Sequence, residues 1–428
     1  MRYLILSVIT FCYVFEWCKA SVCFWNSGCP YNYFATATPY NVVRGDIRDS
    51  RIKIKSCEAV SIWGLFRNGK SYPDFEKVKN MKKVTAIRNY LEASYKHGNC
   101  SLCAQDVENL RYWSIEDTFF NKSNGLTNEG YQEMLGIGKR LKQAYPKLLE
   151  NPKDAQYVIN VFDGDGALTE DSAKGFVEGI KSGIQYNNSA NSFLNIRLCN
   201  KKGDSNEVIE SLKYHSSSDY LILKDRMQRR TGISYDLTDE DILSLYNLCR
   251  YSSSGVDKKL SPWCALFTTK DLQVLEYIED LYNYYKDSYG TPTNEILGRI
   301  PLADLFGNFE RAKMGKGKEL VAYFTQSSAL SMAYTALGLF KDKEHLTGAH
   351  NNPERQWRSS KISAFSANLF AVLNRCIIDG EEDHNIVFYI NEEPLRSICA
   401  DGICSWQEFE DKMKSFSNTS TYCNNFKV

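Results

Sequence analysis

The sequence predicts an α/β fold, a sheet of short buried strands alternating with helices, interrupted by a helical insertion. Three observations predict it. Residues 59–66, Ala-Val-Ser-Ile-Trp-Gly-Leu-Phe, form a continuous apolar run closed by a polar, glycine-containing turn, the pattern of a strand buried on both faces. A stretch with helical periodicity follows over 74–93, with Asp74 as a candidate N-cap, so strand, turn and helix come in the order of an α/β unit. Similar short apolar runs recur at 156–162, 319–324 and 385–390, whereas 170–300 show amphipathic stretches, including 239–250 and 272–286, and no convincing strand.

Taken in order, residues 1–20 read as a signal peptide: Arg2 supplies the positive end, 3–15 a short apolar run, and Ala20 a small residue before a cleavage point at Ser21. Residues 21–56 are aromatic, turn-rich and irregular, an arm tied down by Cys23 and Cys29. The first part of the core is expected at 57–169, the helical cap at 170–305 and the second part of the core at 306–428. A chain of 428 residues accommodates a body of about 250 residues carrying a cap of about 130.

Composition bounds the function. With 52 Lys plus Arg against 52 Asp plus Glu, the chain lacks the basic excess with which proteins track nucleic acid, and no later stretch reaches the roughly 18 apolar residues of a membrane span. Cleavage after residue 20 leaves twelve of the 14 cysteines, an even number that permits six disulfides in an oxidising compartment. Cys249 with Cys264 and Cys399 with Cys404 are the plausible local closures. Glycosylation sequons at Asn99, Asn121, Asn187 and Asn418 agree with export, and a secreted, extracellular protein is expected. The five histidines stand in no metal-ligand spacing, the loop Asp163-Gly164-Asp165-Gly166 lacks the remainder of an EF-hand, and neither metal nor cofactor is expected. A redox role for Cys100-Ser-Leu-Cys103 is disfavoured by the structural use available to cysteines in a secreted chain.

The turn after the first strand is Arg67-Asn68-Gly69-Lys70-Ser71-Tyr72-Pro73, at the edge of an α/β sheet where ligands gather. It resembles the Arg-His-Gly-x-Arg-x-Pro signature of the histidine acid phosphatases. Further segments point to the multiple inositol polyphosphate phosphatase branch: Tyr-Phe-Ala-Thr-Ala-Thr-Pro-Tyr from 33, Leu-Thr-Asn-Glu-Gly from 126, Ser-Ala-Lys-Gly-Phe from 172, Leu-Gly-Leu-Phe-Lys-Asp from 337, Ala-Asn-Leu-Phe from 367 and Val-Phe-Tyr-Ile-Asn-Glu-Glu-Pro from 387. The resemblance implies a mixed sheet flanked by helices with an inserted helical cap. It also implies a phosphomonoesterase in which a histidine attacks phosphorus, arginines hold the phosphoryl oxygens, and a later His with an acidic neighbour completes the site.

Carried over position by position, those roles fail. Arg67 matches the first arginine, but the nucleophile falls on Asn68 and the second arginine on Ser71, with Lys70 as a neighbouring charge. A third arginine lands on Leu168, and the later His-Ala-Glu on Gln326-Ser327-Ser328. The expectation is therefore a secreted pseudoenzyme that binds a small molecule of unknown identity through the remodelled pocket, formed by Arg67, Asn68, Lys70, Ser71, Leu168, Gln326 and Ser328, and no nucleic acid. Its rivals are an active histidine-type phosphatase acting on inositol polyphosphates and a protein that works through its outer surface.

Overall fold

The structure, a computed structural model, describes residues 30–114, 122–150, 157–161, 167–180, 187–188, 206–252 and 261–416. The expected leader 1–20, Cys23, Cys29, Asn121, the 163–166 loop, Cys199, Asn418 and Cys423 lie outside them, and Asn187 is described in its backbone alone. Its centre is one mixed sheet, in the order β3-β2-β4-β1-β5-β6-β7 with β8 on β6. The strands are β1 (Cys57–Arg67), β2 (Tyr157–Val161), β3 (Asn187–Asn188), β4 (Leu320–Thr325), β5 (Asn368–Ile378), β6 (Glu381–Ile390), β7 (Glu393–Pro394) and β8 (Ile403–Ser405). β2, β3, β4 and β1 run parallel, and β5 turns the sheet antiparallel against β1.

Period-two alternation divides the core. On one face Ile62 and Phe66 of β1 meet Phe324 of β4 and Phe176, with Phe66 and Phe176 rings 4.9 Å apart and Phe66 and Phe324 5.5 Å apart. Two helices cover that face, α4 (Asn128–Ala144) and α5 (Ala167–Ile180). On the other face Trp63, Leu65, Val321 and Tyr323 pack into a larger core shared with the helices between β3 and β5. Asp304 there accepts hydrogen bonds from Trp63 Nε1 at 2.8 Å and Tyr323 Oη at 2.6 Å, which satisfies the two polar tips that burial would strand.

The segment expected as one helix over 74–93 is two, α1 (Phe75–Val84) and α2 (Ile87–Lys96). Asp74 caps α1 as expected, its carboxylate accepting from Lys77 N–H at 2.8 Å. The break falls at Thr85, whose hydroxyl donates to the Lys82 carbonyl at 2.7 Å and ends the helical turn locally. α3 (Ala104–Tyr112) follows, and the helical region holds α6 (Asn206–Tyr214), α7 (Ser218–Thr231), α8 (Asp239–Tyr251), α9 (Thr269–Asp287) and α10 (Thr293–Lys313), the last running through position 305. α11 (Ser327–Ala336) leaves β4, and α12 (Trp406–Met413) follows β8. Strand β5 was not expected as a strand, and β6 begins four residues before the expected apolar run, its first four residues Glu381 to His384 being polar. The two join through Asp379 (φ 52°) and Gly380 (φ 86°), the Asp-Gly pair that a two-residue hairpin turn favours.

Covalent and ionic ties hold the layers. Cys57–Cys376 links β1 to β5 directly across the ladder, and Cys249–Cys264 and Cys399–Cys404 close short loops. Cys103 is disulfide-bonded whereas Cys100 keeps a free thiol, so the cysteines do not all pair as their even number suggested. The half-buried Cys100 thiol is pushed up by desolvation, away from the thiolate that redox chemistry needs. Helix α9 is stapled to the segment preceding β5 by buried charges. Arg355 reaches Asp280 at 2.5 Å and Glu276 at 3.3 Å, and Arg358 reaches Glu276 at 2.7 Å. The N-terminal arm is fixed through Glu392, which accepts from Arg140 Nε at 2.6 Å and Nη2 at 2.5 Å and from Tyr40 Oη at 2.8 Å. No helix among the described residues is long and apolar enough to cross a membrane.

Candidate functional site

The site is assembled where the parallel strands end. Arg67 is the last residue of β1, paired with Thr325 at the end of β4, and Asn68 N–H donates to the Thr325 carbonyl at 3.0 Å. That register sets Asn68 beside Gln326, which occupies the N-cap position of α11 without a side-chain capping bond. The turn then presses onto the first turn of α4. A Cβ on Gly69 would stand 2.4 Å from the Gly130 carbonyl oxygen, and one on Gly130 would stand 2.3 Å from that of Lys70, so neither glycine is replaceable without moving backbone. Thr127 N-caps α4 at 3.0 Å from Gly130 N, and both its own N–H and its hydroxyl donate to the Lys70 carbonyl at 2.9 Å. Ser71 forms an antiparallel bridge with Leu126.

The start of α5 closes the third side. Gly69 N–H donates to Ser172 Oγ at 3.2 Å, and that hydroxyl donates to the Leu168 carbonyl at 2.8 Å. Leu168, Asn68, Gln326 and the Arg67–Ser71 turn are thus gathered at one edge of the sheet. Ser328, in the first turn of α11, faces α9 and donates its hydroxyl to Asp287 at 2.8 Å.

The side chains present carry little of a phosphate clamp. Arg67 is buried at 7% exposure, and its Nη1 donates to the carbonyls of Thr36 at 2.5 Å and Ser363 at 2.6 Å. Its guanidinium lies 4.6 Å from the Phe365 ring centroid. Burial lowers its pKa to about 10, against weaker opposing effects of Tyr251, Glu133 and Glu279. Asn68 donates its own amide to the Gly69 carbonyl at 2.9 Å. Lys70 places its ammonium 2.7 Å from Glu129. The arrangement offers amides, hydroxyls, one guanidinium, one ammonium paired with Glu129 and an aliphatic wall, and the turn carries no histidine.

The five histidines of the chain lie away from this turn in sequence. His345 shares its Nδ1 with Tyr284 Oη at 3.0 Å and, with His350, lines a separate cavity of about 650 Å³. His384 sits in β6 beside Glu382, His215 stacks on Tyr220, and His97 caps α2. Among the described residues no group of three or more His, Cys, Asp or Glu is arranged to hold a metal ion.

Several neighbours were not singled out from the sequence. Glu133, one helical turn beyond Glu129, accepts from Lys70 N–H at 3.1 Å and Ser366 Oγ at 2.8 Å. Its place three residues after the turn-packing Gly130 was the available signal. Asp287, Phe365 and the Ser363 carbonyl come from distant segments and had none.

The family model for the histidine phosphatase superfamily (branch 2) matches residues 70–391. The chain belongs to that superfamily. Within it, the chain is similar to multiple inositol polyphosphate phosphatases. Multiple inositol polyphosphate phosphatase 1 of Drosophila melanogaster is 27% identical over 418 residues, 91% of this chain and 87% of the fly protein. The Homo sapiens protein of the same name is 24% identical over 407 residues, 85% and 82% of the two chains. Among solved structures, the phytase from D. castellii aligns with a TM-score of 0.75 at 15% identity, covering 95% of this chain and 91% of its own. The multiple inositol polyphosphate phosphatase of Bifidobacterium longum in complex with inositol hexasulfate aligns with a TM-score of 0.63 at 14% identity, covering 91% and 99%. The superfamily's mixed α/β fold is the fold described above.

Proposed function

We propose that this chain is a secreted member of the superfamily that has lost phosphatase chemistry and uses the old phosphate pocket to bind a small extracellular molecule. One observation carries the reading: Asn68 stands where the family's mechanism needs a histidine, with its amide turned onto the adjacent Gly69 carbonyl. A carboxamide is no nucleophile and forms no phosphoryl intermediate. Loss of a covalent nucleophile alone costs on the order of a million-fold in turnover. The positions of the second arginine, the third arginine, the second histidine and the acid hold Ser71, Leu168, Gln326 and Ser328, none of them a cation or a carboxylic acid.

The apolar leader and the sequons at Asn99, Asn121, Asn187 and Asn418 support export, and three described disulfides are compatible with it. The preserved turn, with its glycine contact and its buried arginine, supports continued use of the site for binding. Mass spectrometry of the purified secreted protein tests both halves. The intact mass after incubation with an aryl phosphate is expected to show no phosphoryl adduct, and native spectra of the untreated protein are expected to show a retained small molecule. A phosphoryl adduct contradicts the first half. Native spectra of bare polypeptide, together with no calorimetric response to small anions, contradict the second.

A further inference from the structure

We propose that a cavity away from the strand-end turn is a further binding site, which takes an amphipathic organic anion with one carboxylate head and an apolar body. The cavity measures about 670 Å³ and lies where the end of α11 meets α12 and the loop before Cys399. That size suits a small ligand. It shares no lining residue with the Arg67–Ser71 turn, so the inference goes beyond the binding role proposed above.

The lining carries two charged residues, Lys341 and Lys412, and both are cations. Both are exposed, and neither forms an ion pair among the described residues; Lys341 lies 5.3 Å from the Tyr289 ring centroid. The carboxylates beside them in the chain are engaged elsewhere. Asp342 accepts from Gln356 N–H at 2.7 Å and Trp357 N–H at 3.1 Å. On α12, Glu408 accepts from Ser405 N–H at 2.8 Å, Asp411 accepts from Gln407 Nε2 at 2.8 Å, and Glu410 pairs with Lys414 at 3.0 Å. The carbonyls that end α11 are also taken, Tyr334 by Leu339 N–H at 2.9 Å and Thr335 by Gly338 N–H at 3.0 Å, and need no ammonium group. The two lysines are thereby left for an anionic head. The neighbouring cavity with His345 and His350 shares Lys341 and Gln356 but adds Asp342, Glu344 and Glu354, a mixed lining that favours neither sign.

The rest of the lining separates by polarity. Gln356 and Ser397 are exposed like the lysines, whereas Leu339, Ile398 and Phe416 are buried, which puts an apolar base beneath a cationic rim. Phe340 also lines the cavity, with φ 55°, a left-handed conformation that a bulky residue rarely adopts, and its ring packs edge-on against Tyr334 at 5.4 Å. Hydrocarbon on that base gains from leaving water while its carboxylate stays at the rim beside the ammonium groups. A polyphosphate has no use for the base, and a hydrocarbon cation is repelled by the rim.

The test is calorimetric titration of the purified protein with decanoate, hexanoate and decyltrimethylammonium at pH 7.5 and low salt, each kept below micelle formation. One decanoate is expected per chain, with hexanoate at least about tenfold weaker for the methylenes it lacks and no binding of the cation. The double variant Lys341→Glu with Lys412→Glu is expected to weaken decanoate at least about tenfold. Ser397→Trp, which fills the rim without changing its charge, is expected to do the same and serves as the independent variant if the charge reversal disturbs folding, as judged by the urea midpoint. Absence of decanoate binding, uptake of many decanoates without saturation, equal affinity for the cation, or decanoate affinity unchanged in a folded variant overturns the assignment.

Discussion

Asn68 and Gly69 show how differently two neighbouring residues of one turn depend on their side chains. The backbone bonds from Asn68 N–H to Thr325 and from Ser366 N–H to Asn68 are indifferent to the side chain, so a histidine or an asparagine is held equally well. Asn68→His is therefore expected to fold and yet release no phosphate above background, since Ser71, Leu168, Gln326 and Ser328 still stand in the clamp and acid positions; a phosphate-release assay with phytate checks it. Gly69 behaves in the opposite way. Its Cβ would meet the Gly130 carbonyl at 2.4 Å, so Gly69→Ala is expected to cost about 2 kcal/mol in urea denaturation, although the change is chemically slight. The turn from Arg67 to Pro73 was legible in the sequence as a polar, glycine-containing break after an apolar strand. What each side chain bonds was not: Arg67 is spoken for by carbonyls at 36 and 363, and no local pattern announces such partners.

The secondary-structure elements were legible where their signal was local. Strands β1, β2 and β4 are short apolar runs, and helices α8 and α9 are amphipathic and begin with Thr caps. Strand β5 escaped notice as a strand because its partner register with β1 spans more than 300 residues of sequence, although Asp379-Gly380 marked its hairpin. The Cys57–Cys376 disulfide closes a separation of 319 residues at that pairing, and Cys57→Ser with Cys376→Ser is expected to lower stability by about 2–5 kcal/mol in denaturant titration. The buried cluster on α9 gives the fold a pH signature. Burial, reinforced by Asp280, pushes Glu276 from its ordinary 4.5 up to about 7, against the pull of Arg358 and Arg355. The folded protein thus keeps a proton that the unfolded chain releases, and the stability it contributes is present below about pH 4.5 and lost as pH rises through about 7. The urea midpoint is expected to fall between about pH 5 and 7.5 in the native protein and to change less in Glu276→Gln; a midpoint that rises over that range would reverse the assigned direction.

At the scale of the whole molecule, 52 basic and 52 acidic residues balance, and the site repeats that balance locally. Lys70, Lys77 and Arg250 are each matched by a carboxylate, and Arg67 forms no ion pair among the described residues. The mixed sheet and its helical layers are those of the superfamily, and in the function proposed above they surround a pocket whose reactive groups have been replaced. The most direct measurement is phosphate release by the purified secreted protein from phytate and from an aryl phosphate between about pH 4 and 7, the range in which a histidine nucleophile and a carboxylic acid would cooperate. No release above the protein-free control at any pH is the expected result. Turnover of the size shown by ordinary phosphatases would contradict it and return the chain to the active members of its superfamily.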